Sequence, residues 1–127
     1  MRSINMLTTI LAISFMGLSP SLRAQDTVMT PQEIQSAWAG KTAIALISGG
    51  PSAGKTIELK LNGDGSAELG GSLSDTGTWR FSDKGYCATW KKIRAGQERC
   101  FTVVRKGSDM QVFNPDGSLN STVIQIR

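Results

Sequence analysis

From residue 42 to the C-terminus the chain is a succession of short runs in which apolar and polar side chains alternate, each stopped by turn-forming residues. A period of two puts successive side chains on opposite faces of an extended strand, and a helix cannot satisfy it. The pattern is cleanest at 56–61, where Ile57, Leu59 and Leu61 share one face and Glu58 and Lys60 the other. Further runs fall at 42–48, 66–69, 77–81, 86–91, 98–105, 110–113 and 119–126, giving about eight short strands in all. Between them stand Asn62-Gly63-Asp64-Gly65, Ser82-Asp83-Lys84-Gly85, Arg94-Ala95-Gly96-Gln97, Lys106-Gly107-Ser108-Asp109 and Asn114-Pro115-Asp116-Gly117. Such clusters are hairpin chemistry. Short strands at near-regular spacing predict an all-β fold, a small antiparallel barrel or sandwich. Closure into a barrel hides edge strands that an open sheet would leave adhesive.

One helix precedes the strands. Thr30 is placed to cap it, Pro31 suits its first position, and Glu33 completes a capping box. Ile34, Ala37 and Trp38 then share a face, and Gly40 ends the helix.

The beginning of the chain reads as a secretory signal. Arg2 precedes a mostly apolar stretch at 4–18, followed by Ser19-Pro20 and a Leu22-Arg23-Ala24 cleavage site. The apolar run is shorter than the roughly 20 residues a bilayer span needs, and no cysteine follows it to carry a lipid. The expected organisation is a signal peptide at 1–24, a lead-in at 25–29 and a single domain at 30–127. The whole chain has 14 basic and 10 acidic side chains. Losing Arg2 and Arg23 leaves 12 basic against 10, a net charge of +2, too mild to indicate nucleic-acid binding.

A domain of roughly 100 residues buries somewhat over 60% of its unfolded surface and gains from a covalent staple. Cys87 and Cys100 are the two cysteines, and in an exported chain they read as one disulfide. The competing readings are a metal pair or a reactive thiol. With no histidine in the chain a metal pair is poorly served, since structural zinc takes four nitrogen or sulfur ligands. No cofactor or metal is called for.

Gly49-Gly50-Pro51-Ser52-Ala53-Gly54-Lys55-Thr56 matches the phosphate-binding P-loop string. That motif works by opening a helix whose N-terminus holds the phosphates, whereas Lys55-Thr56 runs directly into the alternating run at 57–61. It reads as a hairpin loop. The segment from Asn62 to Glu68 resembles the start of a calcium loop but has Leu73 at the closing position, so it reads as a turn. Without histidine, the His-based triads and dyads are excluded. The carboxylates Asp75, Asp83, Glu98 and Asp116 fall in or beside different turns, and no catalytic residue is assigned.

The remaining candidate is electrostatic. Lys91, Lys92, Arg94, Arg99, Arg105 and Lys106 fall within sixteen residues against Glu98 alone, with Trp90 beside them. A cationic hairpin of this kind suits an acidic protein or an anionic envelope component. The duller alternative is a solvated hairpin whose charges discourage aggregation.

Gly40-Lys41-Thr42, Gly77-Thr78-Trp79-Arg80, Tyr86-Cys87 with Trp90, Cys100-Phe101 and Gly107 with Asp116-Gly117 follow one another in order. Over residues 40–117 the chain resembles a family of small exported proteobacterial domains of unknown function. That resemblance implies a periplasmic or secreted β domain with its two cysteines bonded, and it implies no activity. Three functions are therefore carried forward: a binding or interaction module, an inhibitor of an envelope-targeting enzyme such as a lysozyme or protease, and a carboxylate-based enzyme. The mature form is expected to begin at Gln25 in N-terminal mass spectrometry of exported protein; an N-terminus at Met1 would contradict the signal.

Overall fold

The computed structural model describes residues 26–127; the segment at 1–24, expected to be a signal peptide, lies outside the described residues. In chain order the elements are β1 (Thr27–Val28), α1 (Pro31–Trp38), β2 (Thr42–Ile47), β3 (Thr56–Leu61), β4 (Ser66–Gly71), β5 (Asp75–Phe81), β6 (Gly85–Trp90), a 3-10 turn (Ile93–Gly96), β7 (Arg99–Lys106), β8 (Asp109–Phe113) and β9 (Leu119–Ile126). From β2 onward each strand pairs antiparallel with the next, and β9 returns to β2. The eight strands therefore close into an up-and-down barrel rather than a sandwich.

Alternation puts Ile57, Leu59 and Leu61 inside as the sequence indicates, and does the same for Ala43 and Ala45, Ala67 and Leu69, Tyr86, Ala88 and Trp90, and Phe101 and Val103. At the closing seam the register shifts between Ile44 and Ala45, leaving Ile124 without an opposite residue and 53% exposed. This bulge absorbs one residue so that Val123 and Ile126 both pack on the core. Two strand glycines mark where neighbouring backbones press together. A Cβ on Gly77 would lie 2.0 Å from the Thr89 carbonyl oxygen, and one on Gly85 2.0 Å from that of Phe101.

Two hairpins use one device. In Asn62-Gly63-Asp64-Gly65-Ser66 and Asn114-Pro115-Asp116-Gly117-Ser118, the aspartate accepts from both the backbone N–H and the hydroxyl of the serine, while the asparagine amide donates to that hydroxyl. Gly65 and Gly117 carry the positive φ that closes each loop. The calcium-like segment is thus a turn whose carboxylate is already engaged.

The helix begins with the full capping box, Glu33 N–H donating to Thr30 Oγ1 at 3.1 Å and Thr30 N–H to Glu33 Oε1 at 3.0 Å. Ile34 and Trp38 are buried beside Leu61, Trp79 and Phe81, residues at one end of the barrel. Trp38 meets Tyr86 edge-on at 5.6 Å. The helix therefore closes that end. The lead-in at 25–29 contains β1, which pairs with Val104 and Arg105 where β7 extends past the end of β6, and Met29 beyond it is buried.

Cys87 and Cys100 are bonded and stand directly opposite each other in the β6–β7 pair. On this outer face Arg80 makes a two-pronged bond to Glu98 at 2.9 and 2.8 Å, and Glu98 lies within 4.8 Å of the sulfurs. Both sulfurs are consumed by their mutual bond, so the trio is no metal set. A link of this loop size contributes about 3 kcal/mol in the chain-entropy account. Reduction, or changing both cysteines to alanine, is expected to lower Tm by roughly 10–15 °C in calorimetry; an unchanged Tm would show the staple to be idle.

Candidate functional site

Because the strands alternate in direction, the loops at 48–55, 72–74, 91–98 and 114–118 gather at the end opposite α1. From this mouth a cavity of about 470 Å³ descends to Trp38 and Tyr86. Its wall is largely apolar, with the small residues Ala43, Ala45 and Ala88 beside Leu59, Leu69 and Val123. Eight-stranded barrels have interiors that side chains just fill or that hold one small ligand. Here the alanines leave room. No Asp or Glu lies among the described residues that line the cavity, so this mouth does not supply the paired carboxylates of a glycosidase-type reaction.

The polar groups of the cavity sit near its rim. Arg99 Nη1 donates to Asn114 Oδ1 at 3.4 Å, and Asn120 Nδ2 donates to the same oxygen at 3.1 Å. Arg94 turns its guanidinium over the Phe101 ring, 5.4 Å from the centroid. Burial pushes the Arg94 pKa down, and the neighbouring Arg99 charge adds to that shift. Burial also raises the Tyr86 phenol well above its ordinary range, against the opposing pull of Arg94.

Holding Arg94 in this position requires an unusual backbone. Arg94 and Ala95 take φ values of 58° and 52°, followed by Gly96 at 76°. Such left-handed values cost a non-glycine residue about 1–2 kcal/mol, and outliers of this kind cluster at functional sites. The turn is anchored by Asp75, only 7% exposed at the start of β5. Its Oδ2 accepts the backbone N–H groups of Lys92 and Ile93, each at 2.9 Å, and Oδ1 accepts that of Thr76 at 2.8 Å. Burial alone would raise the Asp75 pKa, but the donated N–H groups of Ile93, Lys92 and Thr76, with the Lys92 charge, outweigh it and hold the pKa below its ordinary value.

The cationic residues singled out from the sequence do not share one face. Lys91 and Lys92 are exposed at the mouth, and Arg94 and Arg99 line the cavity. Arg105 and Lys106 lie at the other end of β7, roughly 20 Å away at strand rise. There Arg105 stands beside Glu33 of the helix and Lys106 pairs with Asp26 at 3.9 Å. Trp90 is 5% exposed and faces into the barrel, where it lines the cavity. The P-loop-like string is the β2–β3 loop, closed by Gly54 N–H to the Ile47 carbonyl, and Gly49, Gly50, Pro51 and Ser52 border the mouth. Sequence reasoning placed Asp75 in or beside a turn but missed its role as the anchor, because two of its partners are backbone groups 17 and 18 residues away. It also missed the alanine-lined cavity, for which the available signal was alanine at inward positions of β2 and β6.

No family model, no curated protein and no solved structure matches this chain.

Asp75 generates a pH-dependent prediction. Because its folded-state pKa is depressed, its contribution to stability is fully present above its unfolded value of 3.8 and is lost as pH falls through the folded value. Asp75→Asn is therefore expected to melt below wild type at pH 7, with the gap narrowing at pH 3. A gap of constant size across that range would show that the carboxylate charge does not hold the turn.

Proposed function

We propose that this chain is an exported binding protein, periplasmic or secreted, that holds a small ligand with an apolar body inside its barrel. The cavity carries this reading. Its volume falls within the range of small-molecule sites, and apolar walls with a few convergent polar groups are what such sites require. The Cys87–Cys100 bond suits an oxidising compartment, and the resemblance over residues 40–117 to small exported domains points the same way. Within this reading the charged hairpin divides its work. Arg94 and Arg99 belong to the ligand site, while Lys91 and Lys92 set a positive potential around its entrance.

The test uses N-phenyl-1-naphthylamine, an uncharged apolar fluorophore. Wild type is expected to take it up saturably at one per chain, with quenching of tryptophan emission, because Trp38 and Trp90 line the cavity. Ala45→Phe and Ala88→Leu fill the space and are expected to weaken uptake by at least about tenfold, provided circular dichroism shows them folded. Leu46→Ala, on the outer surface of the same strand, is expected to leave uptake unchanged. Equal uptake by the filled variants, or none by wild type, would overturn the reading.

A further inference from the structure

We propose that the barrel's ligand is an amphipathic monoanion, its slender apolar body lying along the alanine-lined wall and its carboxylate-sized head meeting Arg94 at the mouth. This inference rests on reading the barrel as a receptacle and adds the chemical class of what it receives.

The charge balance of the mouth points to an anion. The ion pairs among the described residues are Arg80–Glu98, Lys106–Asp26 and Arg127–Glu58. Neither Arg94 nor Arg99 belongs to one. The nearby buried carboxylate, Asp75, already accepts three backbone N–H groups, and the cavity lining contributes no other. Arg99 feels the Asp116 carboxylate of the 114–118 loop and is bonded to Asn114, so Arg94 is the guanidinium that faces the largely apolar space with no opposing carboxylate. Removing a cation from water without a partner is unfavourable, and the depressed Arg94 pKa is the local sign of that cost.

Hydrogen bonding selects the same place. Among the described residues, the buried side-chain atoms without a partner are Arg94 Nη1 and Trp38 Nε1. Both residues line this cavity, Arg94 near its entrance and Trp38 at its floor. Buried donors are ordinarily satisfied, and the exception at Arg94 marks a place that an acceptor would complete; an apolar body leaves Trp38 Nε1 at the floor as it is. The Phe101 ring supports the Arg94 guanidinium from one side. A planar guanidinium fork matches a carboxylate in two parallel hydrogen bonds.

The same features disfavour a polyanion. Arg99 is already engaged by Asn114, leaving Arg94 as the free fork, and the β2–β3 loop offers no helix N-terminus for a phosphate chain.

Calorimetric titration with dodecanoate, dodecan-1-ol and dodecyl phosphate below their aggregation limits tests the inference directly. Wild type is expected to bind dodecanoate at least about tenfold more tightly than the alcohol, the usual range for a hydrogen bond to a charged group. Arg94→Gln is expected to erase that preference without weakening the alcohol, and Arg94→Lys to restore part of it. The wild-type acid-against-alcohol comparison needs no variant, so it stands even if the strained turn tolerates no substitution. Equal binding of acid and alcohol, or a preference that survives Arg94→Gln, would overturn the inference while leaving the receptacle reading intact. Dodecyl phosphate binding more than about tenfold tighter than dodecanoate would overturn the monoanionic head. If neither these ligands nor N-phenyl-1-naphthylamine enter wild type, the receptacle reading fails and this inference with it.

Discussion

The pairing of β2 with β9 closes the sheet and sets the radius within which everything else is arranged. Once eight strands are closed, the interior has a fixed width, and the sizes of inward side chains decide whether it is solid or hollow. At the helix end, Trp38, Tyr86, Trp79 and Phe81 fill it. Further up, Ala45 and Ala88 do not, and the space they leave is continuous with the mouth. The bulge at Ile124 belongs to the same constraint, because without it residues on either side of the seam could not both present their apolar side chains inward.

Closure also couples fold to site. Asp75 stands at the start of β5, and the turn it holds follows β6, its partner strand. A buried carboxylate saturated with backbone N–H groups is rigid, and that rigidity offsets the left-handed backbone at Arg94 and Ala95. The outcome is a guanidinium fixed over an aromatic ring at the entrance to an apolar chamber. On the outer face, Cys87–Cys100 locks the register of β6 against β7, the strands on either side of this turn. Staple, anchor and cation therefore lie within one hairpin and the strand beside it.

Much of this fold was legible in the residues. The period of two at 56–61, the capping box at Thr30 and Glu33, and the Asn-x-Asp-Gly turns each follow from local chemistry, and each is present. The P-loop string failed on the same local grounds, since a strand and not a helix follows Lys55. What local chemistry does not carry is the third dimension. Alternation says which side chains share a face but not how tightly the sheet curls, so barrel and sandwich read alike, and Ala45 reads as core whether its neighbours fill the space or leave it open. Charges close in sequence also mislead along a strand: Arg99 and Lys106 are seven residues apart and stand at opposite ends of the barrel. The anchoring role of Asp75 was invisible because its partners are backbone N–H groups, which every residue but proline possesses.

The central claim is that a ligand enters the barrel rather than adhering to its outside. Methyl-resolved NMR on protein carrying labelled alanine, leucine, valine and isoleucine methyls, titrated with dodecanoate, tests it most directly. The account predicts shifts concentrated at Ala43, Ala45, Ala88 and Val123 inside the barrel, with Leu46 and Ile124 on the outer surface unmoved. Shifts confined to Leu46, Ile124 and Val28, with the interior methyls silent, would show a ligand held on the outer wall and contradict the account.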